Sequence, residues 1–354
     1  MFDYLRKARS RGFVLSLSGG ADSVMCAVAV AELVRLGTTE IGTAEFMRRA
    51  GCFTTDDIER LAGPAVPTPD QATPGPKDAS NTEPSPEQVA INKELTGRLL
   101  TCAYQGTVNS SDDTFNSAKE LADSIGAVFY SWTIDDEVTG YVGKIEHALG
   151  RELTWKTDDL TLQNIQARVR APAIWMLANV QNCLLLTTSN RSEASVGYCT
   201  MDGDTAGSIS PIAGVDKAFV KEWLRWAETE LNYPALRHVN NLQPTAELRP
   251  LEDKQTDERD LMPYPLLNRI ERLAFYNRLS PKAVLAALTQ EETTIDAEQL
   301  KTYVKRFYSL WSRNQWKRER FAPAFHLDDY NVDPRSWLRF PILSGGFTEE
   351  LNSL

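Results

Sequence analysis

The 354-residue sequence predicts an α/β fold, a doubly wound, mainly parallel sheet with helices on both faces. Three stretches carry that prediction. "FVLSLSGGADS" (Phe13 to Ser23) is an apolar run that stops at two glycines and leads into the Ala-, Leu- and Val-rich Ala21 to Leu36, which reads as strand, tight turn and helix. "LLTCAY" (Leu99 to Tyr104), a polar loop and the amphipathic "TFNSAKELADSIG" repeat the same order. "CLLLTT" (Cys183 to Thr188) is a core strand that switches abruptly to a polar, glycine-rich loop. In an open parallel sheet, loops at the carboxyl ends of strands form the ligand crevice.

In chain order, the strand Phe13 to Leu17 precedes a helix that should end near Leu36, because Gly37 follows. Residues 37–96 then read as an insertion whose flanks, "TTEIGTAEFMRRAGCF" and "DDIERLA", suit a short helical hairpin. Its centre, Pro64 to Pro86, holds seven prolines among polar residues and cannot bury enough apolar surface to order itself, so the insertion 37–96 reads as a mobile surface excursion, with partner binding or covering of an active site as the alternative. After the second helix, "AVFYSW" predicts a third strand. A long helix follows from about Asp159 to Asn182, where Leu162, Ile165, Val169, Ala173, Met176 and Val180 keep helical spacing. Pro172 removes one backbone bond and should kink it. Residues 324–354 alternate polar turns with aromatic and apolar residues, as expected of an ordered tail packed on the body. The whole chain, 1–354, reads as one domain.

Apolar residues make up 42% of the chain and the net charge is −10, which describes a soluble globular protein with a large core. Acidity argues against a nucleic-acid backbone as main partner. Cys26, Cys52, Cys102, Cys183 and Cys199 form no C-x-x-C pair, which fits free thiols in a reducing compartment. His147, His238 and His326 stand apart, so ligand spacing gives no zinc site. Neither a bilayer-spanning apolar run nor a signal-peptide pattern is present, and the cytoplasm is the expected location.

The first loop holds Ser18, Gly19, Gly20, Ala21, Asp22 and Ser23 between strand and helix. Glycines let successive N–H groups converge, and the helix amino terminus adds its positive end, so the loop suits a phosphate. No lysine follows the glycines, so this is not a Walker-type loop. The pattern resembles the PP-loop of the ATP pyrophosphatases (the adenine nucleotide α-hydrolase-like fold), which cleave ATP between its α and β phosphates. The later loop Thr187 to Ile212, "TTSNRSEASVGYCTMDGDTAGSISPI", resembles that of NAD synthetases, particularly the synthetase part of the glutamine-dependent type. "NIQARVR" (164–170), "PTAELRP" (244–250), "DKQTDERDLMPY" (253–264) and "NQWKRERFAP" (314–323) extend the resemblance over most of the chain outside the insertion.

The resemblance implies ATP-dependent amidation of deamido-NAD (nicotinic acid adenine dinucleotide) to NAD. ATP would adenylate the nicotinate carboxylate, and ammonia would displace AMP. By matched motifs, Ser18, Gly19, Gly20, Ala21 and Ser23 would hold the ATP phosphates, with Thr188, Lys217 and Thr245 as further ATP contacts. Asp22 and Glu193 would hold Mg²⁺, although Asp22 also suits a plain helix cap. With Lys217 they form the expected catalytic set. Asn164 and Arg168, four apart on one helix face, would contact deamido-NAD, as would Glu193, Tyr198, Cys199, Thr200, Met201, Asp204 and Lys317. Ammonia-dependent bacterial members carry a lysine at the Met201 position and an acid at that of Ser208, so the loop fits the glutamine type better. The charged "DKQTDERD" suits a loop closing over the reacting centre.

In glutamine-dependent relatives an amino-terminal nitrilase-like domain liberates ammonia. Here the first strand begins at Phe13, so the chain is expected to use free ammonia or to receive it from a separate glutaminase, as a detached synthetase half would. A homodimer is expected by resemblance. Rival readings are another PP-loop amidase or ligase, such as a GMP synthetase-like or tRNA-modifying enzyme, and a non-catalytic nucleotide sensor. The pair Asp22 and Glu193 speaks against the sensor.

Overall fold

Four apolar runs pair in parallel: β1 (Phe13–Ser16), β2 (Leu100–Gly106), β3 (Val128–Thr133) and β4 (Leu184–Leu186), in the spatial order β3-β2-β1-β4. The register sets Phe13 beside Leu100 on one side and Leu184 on the other. Succession runs outward from β1 to β3, and β4 then joins the opposite side of β1. The direction of winding reverses between β1 and β4, and a crevice opens outside the carboxyl ends of strands at such a point. The computed structural model describes residues 1–63, 84–242, 248–249, 257–292 and 294–354.

One face of the sheet is covered by α2 (Ala21–Ile41), α5 (Pro86–Leu99) and α6 (Asp112–Ile125), with α1 (Phe2–Ala8), α3 (Thr43–Ala50) and α4 (Thr55–Ala62) packed outside them. Leu15, Val24, Val28, Leu95 and Leu121 form the core of this face. The other face carries α8 (Trp155–Gln181) over a smaller core of Val14, Ala103, Ile174, Ala178 and Leu185, with α7 (Asp135–Leu149) packed beside α8. No residue of α7 is buried. Tyr130 of β3, Tyr141 and Ile145 of α7, and Leu160, Met176 and Val180 of α8 are all exposed.

Beyond β4 the chain is helical: α9 (Arg191–Val196), α10 (Lys217–Glu230), α11 (Leu236–Asn241), α12 (Asp257–Asp260), α13 (Tyr264–Glu271), a π-helical turn at Arg272–Tyr276, α14 (Pro281–Glu291), α15 (Ala297–Arg313), α16 (Gln315–Arg318) and α17 (Thr348–Asn352). α10 and α11 pack beside α2. The rest builds a second core around Leu267, Ile270, Val304, Phe307 and Tyr308, and Ala194 and Val196 of α9 enter it. The segment 324–354 lies on this core through Val332, Leu338 and Leu351. Among the described residues no helix is long and apolar enough to cross a membrane, and all five cysteines are free thiols.

Four local expectations need correction. The first helix runs past Gly37 to Ile41, because the Phe46 ring of α3 packs against that glycine, where a Cβ would sit 2.4 Å from the ring. The flanks of segment 37–96 are therefore not a loose excursion: Phe46 and Met47 are fully buried, each contributing about 2 kcal/mol of burial, and α5 packs on α2. Residues 64–83, most of the proline-rich centre, lie outside the described residues. In α8 the break in helical dihedrals falls at Asp158, not at Pro172. The inward face of that helix is Leu162, Gln166, Val169, Ile174 and Ala178, while Met176 and Val180 point to solvent.

Candidate active site

The loops that follow β1 and β4 meet at the switch point, and a cleft of about 1140 Å³ opens there. The first wall is the turn after β1. Ser23 Oγ donates to the carbonyl of Gly20 at 3.0 Å and accepts from the backbone N–H of Ser18 at 3.2 Å, closing the turn on itself. Gly19 makes the turn with φ +82°, and a Cβ there would lie 2.1 Å from the Thr114 carbonyl oxygen. Only glycine satisfies both demands. Gly20 is the N-cap of α2 and offers no side-chain acceptor, and Gly20, Ala21, Asp22 and Ser23 line the cleft. The amino terminus of a 21-residue helix is thus aimed at it.

The second wall is α9. Asn190 caps it, accepting from the Glu193 N–H at 3.0 Å, and its Nδ2 donates to Asp22 Oδ1 at 3.1 Å. One side chain therefore starts the helix and ties it to the first loop. Glu193 sits one turn on. Lys217, the first residue of α10, is 3% exposed, and its Nζ donates to Asp22 Oδ2 and also to Glu193 Oε1 at 3.3 Å. That ammonium also lies 5.7 Å from the centroid of the Tyr264 ring. The three residues expected to form the catalytic set, from three separate elements, meet at one point.

Two carboxylates closing on one cation suit a divalent ion as well as an ammonium. Among the described residues no group of three or more His, Cys, Asp or Glu could hold a metal. A pair is what Mg²⁺ uses when substrate phosphates supply other ligands. The donor set therefore fits Mg²⁺ bound together with a phosphate-bearing substrate, not a metal held by protein alone.

The far wall is formed by α8 and the loop after α9. Thr200 Oγ1 donates to Asn164 Oδ1 at 2.8 Å, and Arg168 Nε donates to the Met201 carbonyl at 3.0 Å. Asp204 turns the loop by accepting from the Thr200 N–H at 2.6 Å. Burial holds the Asp204 carboxyl above the usual range, against the pull of that N–H and of Arg170, Lys317 and Arg168. Burial also pushes the Cys199 thiol up to about 12, away from its reactive thiolate form. Tyr198 donates to Asp260 Oδ2 at 2.9 Å.

Of the residues expected at the site, Ser18, Gly20, Ala21, Asp22, Ser23, Asn164, Arg168, Thr188, Glu193, Tyr198, Cys199, Thr200, Met201, Asp204, Lys217 and Lys317 line this cleft. Gly19 shapes the turn from behind. Thr245 and residues 253–256, the first half of "DKQTDERD", lie outside the described residues, and the second half forms α12. Lys317, expected to contact substrate, lines the cleft and donates to the carbonyls of Gly197 at 3.1 Å and Cys199 at 2.9 Å.

Sequence reasoning missed the supports. Asn190 was legible, since Asn190-x-x-Glu193 has the spacing of a capped helix start. Arg191 was not. It is 7% exposed and reaches Glu271 at 2.8 Å, Asp216 at 3.1 Å and the Tyr330 carbonyl at 2.9 Å. Ser192 Oγ donates to Asn268 Oδ1 at 2.5 Å and accepts from the Lys217 N–H at 3.0 Å. Those partners are scattered over more than a hundred positions, and no local pattern announces them.

A family model described as NAD synthase matches residues 90–320, well over half of the chain. The chain is 31% identical to the glutamine-dependent NAD(+) synthetase of Oryza sativa subsp. indica, over 94% of its own length and 44% of that protein's. The crystal structure of a glutamine-dependent NAD(+) synthetase from Cytophaga hutchinsonii superposes with a TM-score of 0.82 at 50% identity, covering 99% of this chain and 53% of that one. NMN synthetase from Francisella tularensis, at 16% identity and a TM-score of 0.53 over 90% of this chain and 92% of its own, shares the fold. The chain spans about half the length of the glutamine-dependent relatives it matches. With the family model extending from within α5 to just past α16, the chain belongs to the NAD synthase family.

Proposed function

We propose that this chain amidates deamido-NAD to NAD, consuming ATP and ammonia and releasing AMP and pyrophosphate. The observation that carries the reading is the convergence of Asp22, Glu193 and Lys217 beside the open amino terminus of α2. A carboxylate resists amines because attack would have to expel oxide, so its oxygen must first become a leaving group. The turn Ser18–Ser23 and Lys217 grip the β and γ phosphates, with Thr188 and Thr245 as further ATP contacts. Asp22 and Glu193 would hold Mg²⁺, which supplies charge neutralisation on the phosphates when bound. Asn164, Arg168 and the loop Tyr198 to Asp204 seat the dinucleotide, so the nicotinate oxygen faces the α phosphate. Catalysis here is positioning and preorganised charge.

Ammonia is the attacking nitrogen whether it arrives free or from a separate glutaminase, and NAD formation with ammonium or with glutamine as sole nitrogen source separates the two. Turnover on glutamine by the purified chain would contradict use of ammonia alone. The exposed apolar residues of β3, α7 and α8 favour a homodimer through that face, which sedimentation tests. For the chemistry, Asp22→Ala should abolish pyrophosphate release from ATP in the presence of deamido-NAD; an unchanged rate would remove Asp22 from the mechanism.

A further inference from the structure

A helix leaves its last carbonyls without intrahelical partners. In α9, which is only six residues long, five carbonyls at or just past the carboxyl end are taken by three side chains from one turn of chain at the α15–α16 junction. Arg318 donates to Ala194 at 3.4 Å and Ser195 at 2.8 Å, Asn314 to Val196 at 2.8 Å, and Lys317 to Gly197 at 3.1 Å and Cys199 at 2.9 Å. The grip is itself braced. Gln315 accepts from Arg318 through one oxygen at 3.0 and 2.9 Å, and Gln315 and Arg318 are 0% and 1% exposed. Gly197 packs so closely on Asn314 that a Cβ would lie 2.4 Å from the Asn314 Cβ.

Two cations at the negative end of a helix are favourable anywhere. A single charge at that end would do for stability, and an isolated six-residue helix has little intrinsic stability to defend. Glu193 sits in the first turn of this helix, and Arg191 fixes the other end through Glu271 and Asp216. These contacts hold α9 at both ends, with the Glu193 carboxylate opposite Asp22 across the Lys217 ammonium.

We propose that Asn314, Lys317 and Arg318 form a carbonyl clamp that positions Glu193 for the metal, with Lys317 acting as a positioning residue through the chain just past α9. This rests on the reading of Asp22 and Glu193 as the metal pair. The test is Mn²⁺ binding, followed by paramagnetic resonance, to the purified chain loaded with a non-hydrolysable ATP analogue and no dinucleotide. Lys317→Met should weaken Mn²⁺ about tenfold and speed hydrogen exchange across residues 191–199. Lys317→Arg, which can still donate to both carbonyls, should recover most of the loss. Asn314→Ala, which removes the bond to the Val196 carbonyl and leaves Lys317 in place, should move both readouts in the same direction. Unchanged Mn²⁺ affinity in Lys317→Met and Asn314→Ala would overturn the clamp. Wild-type chain that binds no Mn²⁺, or binds it equally well as Asp22→Ala, would overturn the metal pair and the clamp with it.

Discussion

Lys217 Nζ donates to Asp22 Oδ2 across 195 positions of sequence, and the same ammonium reaches Glu193. The cation neutralises two carboxylates that would otherwise face each other across a largely buried site. Lys217→Met leaves that charge uncompensated, which should cost about 3 kcal/mol without metal. Added Mg²⁺ should then raise the melting temperature of the variant by several degrees more than that of the parent chain. Equal shifts, read by differential scanning fluorimetry, would show that ammonium and metal do not share the position.

Gly19→Ala places a methyl group against the Thr114 carbonyl at a backbone angle of φ +82°. The loop must shift away from α6, at a cost of about 2 kcal/mol in denaturant unfolding. ATP affinity should fall at least tenfold with it, because the shift misaligns the first-turn amides of α2.

Asn190 can be separated into its two roles. Asn190→Ala loses the cap, about 1 kcal/mol, together with the bond to Asp22. Asn190→Asp keeps an acceptor for the Glu193 N–H but sets a carboxylate beside Asp22. Steady-state assays should find Asn190→Asp the less active of the two variants despite its better cap.

Glu271 is 4% exposed, and burial, opposed by Arg191 and reinforced by Asp216, lifts its carboxyl to about 7. The folded chain therefore holds this proton where the unfolded chain has released it. The associated stability is present below the ordinary carboxyl pKa and is lost as pH rises towards about 7. The total is on the order of 3 kcal/mol. Glu271→Gln, neutral at every pH, should remove this decline, so unfolding curves of the two chains should diverge between pH 5 and pH 8. Parallel pH profiles would contradict the assignment.

Strands and both cleft loops were legible because each is a local event, an apolar run ending in turn chemistry. Asp22 and Glu193 were legible through the motifs those loops carry, which resemble the family's. What the sequence hid was contact at a distance. Gly37 reads as a helix stop unless Phe46 is known to lie against it. Met176 and Val180 fit the apolar spacing of α8, yet the sheet beneath is narrow and leaves them in solvent. Lys317 was assigned by motif to the substrate, and its bonds to the carbonyls of Gly197 and Cys199, just past α9, are a relation that no spacing encodes.

The central claim is tested most directly by one incubation of the purified chain with ATP, Mg²⁺, ammonium and either deamido-NAD or xanthosine monophosphate, with products separated by chromatography. The structure predicts NAD and AMP in equal amounts from deamido-NAD, and no amidated product from xanthosine monophosphate. Amidation of xanthosine monophosphate, or ATP breakdown to ADP in place of AMP, would contradict it.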